Sequence, residues 1–265
     1  MDMRTLMKAL IYACGSYPKP GAPHRLSPED DFERCVITGL SSSEVLRDLL
    51  HNLDGVERGV IAIGDIGLGK AMAKCVEEAS RELGHRFIVE IAMAMPMATI
   101  LAWAERKGEG TNFVKRVLTL APPEDAKHLV EVLRSLGGEY AFDLERADLS
   151  ERRVIVEGLS LDDVLEALSR FSKRYLYIRN VDVHGMCAKV SKYIDAGRNL
   201  SEALAASYAE LLEREGVKGV MELFERRSLV ELLKMDSDMR RKGEKYYYLM
   251  PPVLYVSTLM VLKGF

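Results

Sequence analysis

Two long apolar runs, Ile88 to Ala104 and Leu249 to Leu262, set the first limit on what this chain can fold into. Both fall short of the roughly 20 apolar residues that a membrane-crossing helix needs. Each is also interrupted, by Glu90 and Pro96 in the first and by Pro251 and Pro252 in the second. They read as helices buried in protein, apolar all round because no face meets water.

Amphipathic stripes carry the same message elsewhere. From Pro122 to Leu136 the residues Ala126, Leu129, Val130, Leu133 and Leu136 share one helix face, with prolines opening the segment and Gly137-Gly138 closing it. At Ser160 a hydroxyl is placed to cap a helix, with Asp163 three residues on and a stripe of Leu161, Val164, Leu165, Leu168 and Phe171 behind. Similar stripes run from Val45 to Leu53, Leu200 to Leu212 and Val217 to Leu233. Strand-like patches at Val60 to Ile63, Arg153 to Val156 and Tyr175 to Ile178 are short, and none has a partner at hairpin spacing. The expected fold class is mainly α, a single all-helical globular domain over residues 1–265 with about ten helices. Surface loops are expected at Gly108 to Thr111 and Gly137 to Arg153.

Composition narrows the function classes. With 48% hydrophobic residues in 265, the chain can bury a large core. Thirty-seven basic against forty acidic residues give a net charge of −3, and aromatic residues are only 7%, so neither a positive field nor stacking platforms point to nucleic acid. The cysteines Cys14, Cys35, Cys75 and Cys187 lie far apart with no Cys-x-x-Cys pair, which predicts reduced, mostly buried thiols rather than a zinc ribbon or a disulfide framework. Leu6 to Ala13 is too short for a secretory signal and lacks a cleavage pattern, so a cytoplasmic location is expected.

The densest chemistry lies in Ser16-Tyr17-Pro18-Lys19-Pro20-Gly21-Ala22-Pro23-His24-Arg25. Three prolines stiffen this backbone and keep it out of a helix, so its polar side chains are held rather than floppy. Lys19 offers a point charge and Arg25 a planar fork for phosphate oxygens, His24 can donate, accept or shuttle a proton, and Gly21 lets a ligand or backbone come close. A proline-rich connector with solvated basic residues explains the same letters.

A rival motif is Gly64-Asp65-Ile66-Gly67-Leu68-Gly69-Lys70-Ala71, which satisfies the Gly-x-x-x-x-Gly-Lys core of a phosphate-binding loop. Ala71 stands where the magnesium-binding hydroxyl belongs, and the surrounding parallel sheet is missing from the pattern, so a nucleotide hydrolase is disfavoured against a bend leading into a helix. Asp182-Val183-His184 is a weak carboxylate and imidazole pair, and Tyr246-Tyr247-Tyr248 reads as core packing with adenine stacking as the alternative.

Pro18-Lys19-Pro20-Gly21, with His24-Arg25 behind and Asp31-Phe32 opening the next helix, resembles the signature of the triphosphoribosyl-dephospho-CoA synthase family, in particular its short archaeal-type members. Asp236-Ser237-Asp238-Met239-Arg240-Arg241-Lys242-Gly243 is similar to that family's Asp-Thr-x-x-x-Arg-Lys-x-Gly element. By position, Gly84-His85-Arg86-Phe87-Ile88-Val89-Glu90 takes the place of its Gly-x-Asn-Thr-Asn-x-Gly motif without the Asn-Thr-Asn group, and Cys14 stands where many relatives carry a glutamate.

The resemblance implies a helical transferase that joins ATP to 3'-dephospho-CoA and releases adenine. On that reading Lys19, Gly21, Arg25, Arg241 and Lys242 hold phosphates, His85 and Arg86 bind anion in place of the missing motif, His24 orients groups or handles a proton, and Asp236 and Asp238 hold Mg2+ bridging the phosphates. The two cationic clusters are then expected to converge in one receptor. The altered centre leaves two further readings: a non-catalytic helical protein that binds a nucleotide, a coenzyme or a protein partner, and a related transferase with another nucleotide or phosphoribosyl donor. A homodimer is compatible with any of them.

Overall fold

Both apolar runs become central helices of a mainly α fold. The computed structural model describes residues 3–265. Its first half contains α1 (Met3–Gly15), α2 (Asp31–Ser41), α3 (Ser43–Glu57), α4 (Leu68–Leu83), α5 (Val89–Arg106), α6 (Gly110–Leu120), α7 (Pro123–Leu136) and α8 (Gly138–Arg146). The second half continues with α9 (Glu151–Glu157), α10 (Leu161–Ser169), α11 (Lys173–Arg179), α12 (His184–Asp195), α13 (Leu200–Arg214), α14 (Val220–Glu225), α15 (Leu229–Arg241) and α16 (Met250–Leu262). No strand occurs among the described residues.

Every residue of α5 from Val89 to Ala104 is buried, and so is every residue of α16 from Met250 to Val261. The two helices pack against each other, with α3, α4 and α6 laid on α5 and with α1, α12 and α13 laid on α16. Helices α7 to α11 form an outer layer on one side. One continuous apolar core runs from Ala9 through α5 to Val261. No described helix is long and apolar enough to cross a membrane.

Local signals behave as the letters dictate. Ser160 Oγ accepts from Asp163 N–H while the Asp163 carboxylate accepts from Ser160 N–H at 2.9 Å, a complete capping box at the start of α10. Pro123 opens α7, where its missing N–H costs nothing. Gly69 marks the closest approach of α4 to α7, because a Cβ there would collide with the Asp125 carbonyl oxygen.

Two expectations need correction. Among the described residues the α-helices number sixteen against about ten expected, and the stretch Gly137 to Arg153, expected as a loop, contains α8 and the start of α9. The strand-like patches Arg153 to Val156 and Tyr175 to Ile178 lie within α9 and α11, in keeping with the all-helical expectation. The cysteines are not all thiols: Cys14 at the end of α1 is bonded to Cys35 of α2, while Cys75 and Cys187 remain free and buried. Burial pushes the Cys75 thiol up to about 12 and the Cys187 thiol to about 11, so neither is a nucleophile near neutral pH.

Candidate functional site

The proline segment does not lie on the surface. From Pro18 to His24 it runs buried between α1, α13, α15 and the chain after α15, with its polar backbone paired to distant side chains and backbone. Gly21 N–H donates to Asp236 Oδ1 at 2.8 Å, and Tyr246 N–H donates to Gly21 O at 2.8 Å. Tyr208 OH donates to Pro20 O at 2.7 Å, and Arg240 donates to Ala22 O at 2.9 Å. A buried non-helical stretch survives only when such partners are supplied. Gly21 holds φ +74, which fits its place in this tight passage.

Lys19 faces inward. Its side chain is 0% exposed, donates to Ala13 O and Cys14 O at the open end of α1, and lies 3.6 Å from Met250 Sδ. It is a cap for orphaned helix carbonyls, and burial holds its amine well below 10.5. His24 is also buried. Its Nδ1 accepts from Leu26 N–H at 3.1 Å, which leaves the proton on Nε2, 3.3 Å from Asp236 Oδ2 at ion-pair distance but outside hydrogen-bond alignment. Burial lowers the His24 pKa, and the Asp236 carboxylate offsets this only in part.

Arg240 is the hub that sequence reasoning passed over in favour of its neighbours. Its Nε lies 2.9 Å from each Asp236 oxygen, its Nη1 grips Asp31, and its Nη2 reaches Ala22 O and, at 3.1 Å, Ser27 Oγ. Asp31 is fully buried and also accepts from Arg34 at 2.9 Å and from Tyr247 OH at 2.8 Å. Burial pushes the Asp236 carboxyl up, but His24, Arg240 and the Gly21 amide outweigh it and leave the group below its ordinary range. The available signal was the spacing of Asp236 and Arg240, one helical turn apart on a single face.

The remaining sequence-selected residues spread outwards. Arg25 is exposed and lies over the Phe32 ring at 6.0 Å. Arg86 pairs with Asp30, Arg241 with Asp238 of its own helix, and His85 sits on the edge of another hollow beside Arg81. Lys242 and Asp238 line an open hollow of about 500 Å³ with Glu231 and Lys234. The motifs at Pro18 to His24 and Asp236 to Arg240 therefore meet, but through Asp236 and Arg240 rather than through a shared row of cations.

The donor set expected for magnesium does not fit. Asp236 already accepts from Arg240 and Gly21, whereas Asp238 is paired with Arg241 and lines the hollow with Lys242. No group of three acidic, histidine or cysteine ligands occurs among the described residues.

Beside the hub lies a cavity of about 360 Å³, within the range that small-molecule sites occupy. One wall comes from Phe87 to Glu90, the segment that stands at the position of the resembled family's polar motif, and from Glu139, Tyr140 and Arg174. Gly243, Lys245, Tyr247 and Tyr248 complete it. The Arg174 guanidinium stacks on the Tyr140 ring at 4.5 Å and donates to Glu139 at 2.5 Å, while Glu90 Oε1 stays 3.9 Å from its Nη1. Burial raises the Glu90 pKa against the pull of Arg174. Glu90 was legible as the lone carboxylate of an apolar run, but nothing in the letters tied it to Arg174.

The phosphate-loop-like motif has a different fate. Gly69 and Lys70 N–H at the start of α4 both donate to the Asp125 carboxylate at 2.8 Å, so an internal anion already holds the amides a phosphate would need. No family model, curated protein or solved structure matches the chain.

Proposed function

We propose that this chain binds a phosphorylated small molecule, a nucleotide or a nucleotide-bearing coenzyme, in the cavity between Glu90, Arg174 and Lys245. One observation carries the reading. The two elements that resemble the synthase family, far apart in sequence, are clamped together by Asp236 and Arg240, and the chain leaving that clamp forms a wall of the cavity through Gly243, Lys245 and Tyr247. Arg174 and Lys245 supply positive charge, and the rings of Tyr140, Tyr247 and Tyr248 supply apolar faces of the kind that meet a base. Binding of ATP, dephospho-CoA, CoA and phosphoribosyl compounds, followed by thermal shift, tests it: a ligand at 100 times its dissociation constant adds about 2.7 kcal/mol. Absence of a shift with every member of the panel sinks it.

A second reading, transfer of the triphosphoribosyl group from ATP to dephospho-CoA with release of adenine, is favoured by the same clamp, since it unites the elements on which the resemblance rests. Any Mg2+ for that reaction arrives on the nucleotide, because the Asp236 and Asp238 carboxylates are already paired with Arg240 and Arg241. Free adenine formed from ATP only when dephospho-CoA is present supports this reading, and tight binding of both without adenine favours the non-catalytic one.

A further inference from the structure

The Arg174 guanidinium is incompletely used. Of its donors, only Nη2 has a hydrogen-bond acceptor, Glu139; Nε and Nη1 are shut away from water with none. Glu90 is the nearest carboxylate to Nη1 and stops at 3.9 Å, beyond hydrogen-bond reach. Buried guanidinium donors without acceptors are a standing cost to the fold, and one that a planar oxyanion is shaped to relieve. The arginine is also held in place for such a role: its side chain is 13% exposed and its Cζ lies over the Tyr140 ring at 4.5 Å.

Glu139 is held differently. Its carboxylate is 63% exposed and meets Arg174 from the first turn of α8, at the rim of the cavity. An ion pair with one partner so open to water is weak and easily exchanged. Chemically, the Glu139 carboxylate stands where the oxygens of an external anion would stand.

We propose that Arg174 is the oxyanion receptor of this cavity and that Glu139 is its built-in stand-in, displaced when the phosphate group of a ligand enters. Swinging Glu139 into solvent uncovers a guanidinium edge, and the incoming phosphate takes the Nη2 bond together with one of the idle donors beside it. Lys245, also in the lining, 42% exposed and paired with Glu29 at 3.8 Å, adds a second positive charge. Glu90, 7% exposed, remains 3.9 Å from Nη1, on the cavity wall. The assignment rests on the phosphorylated-ligand reading above and names the group that ligand presents.

The test is isothermal titration of the full chain with ATP and, separately, with inorganic pyrophosphate, using wild type, Glu139→Gln and Arg174→Lys. Arg174→Lys keeps the charge but loses the planar fork, and is expected to weaken both probes by about tenfold or more. Glu139→Gln removes the competing charge and is expected to tighten both by up to about fivefold. Circular dichroism melts establish that the variants stay folded, and if Arg174→Lys does not, the Glu139→Gln gain decides alone. ATP binding that neither substitution alters overturns the inference and leaves the nucleotide reading standing. Arg174-dependent pyrophosphate binding without ATP binding keeps the receptor and removes the nucleotide. Binding of neither probe overturns the inference, and the coenzyme members of the panel then decide the binding reading by themselves.

Discussion

Arg240 and Asp236 form a buried pair in which one guanidinium nitrogen lies 2.9 Å from both carboxylate oxygens. The pair is worth more than its own attraction, because each partner also holds the proline segment: Asp236 through Gly21 N–H and Arg240 through Ala22 O. Without either one, a non-helical stretch is left buried with unpaired polar groups.

Arg240→Met is therefore expected to destabilise the fold by about 3–5 kcal/mol, since it strands the buried Asp31 and Asp236 carboxylates. Urea denaturation measures it, and a loss below about 1 kcal/mol, the scale of an exposed pair, contradicts the account. The pH dependence has a fixed sign. Because the Asp236 pKa is lowered in the folded state, its contribution is complete above the ordinary 3.8 and is lost as pH falls through the lowered value. The stability gap between wild type and Asp236→Asn should then be full at neutral pH and shrink in acid.

Lys19 gives the opposite kind of dependence. Its amine has a folded-state pKa well below 10.5, so the unfolded chain binds more protons between the two values and stability rises with pH across that window. Lys19→Met lacks this rise. Melting both proteins at pH 7 and pH 10 should show wild type gaining on the variant as pH increases, and parallel curves would contradict the placement of the amine in the core.

Sulfhydryl titration of the unreduced, denatured protein should count two thiols, Cys75 and Cys187, and find four only after reduction. Closing the segment from Cys14 to Cys35, 21 residues apart, is expected to stabilise the fold by about 3 kcal/mol, readable as a fall in urea midpoint on reduction. Four thiols without reductant would remove the bond from the account.

Asp125→Ala should cost about 1–2 kcal/mol, because it removes the acceptor for two amides at the start of α4. Nucleotide affinity should stay unchanged, since the motif at Gly64 to Ala71 serves an internal carboxylate. A drop in ATP binding in Asp125→Ala, with the fold intact, would instead return that motif to consideration.

The architecture was legible where a residue's partners are local or simply apolar. The runs at Ile88 and Leu249 had to be buried because they lack a polar face, and Ser160 with Asp163 specified its own cap. Residues whose role depends on distant partners were not legible in the same way. Lys19 among prolines reads as an exposed phosphate ligand until the end of α1 and Met250 close over it. Arg240 was hidden beside Arg241, and only coordinates show which of two adjacent arginines turns inward. Tyr175 to Ile178 has the composition of a strand, yet α11 forms there because Tyr175 and Ile178 fill one buried face.

The packing of α1 along α16 has a consequence for how the chain is made. Ser257 of the last helix donates to Ala9 O of the first at 2.8 Å, and the proline segment takes its partners from Tyr208, Asp236, Arg240 and Tyr246. Apart from α2, to which it is joined through Cys14–Cys35, α1 takes its partners from α13 and α16, so the full burial of α1 and the proline segment waits for residues far downstream to be made. Nascent chains stalled before α15 should leave the proline segment more open to protease than chains extended through α16.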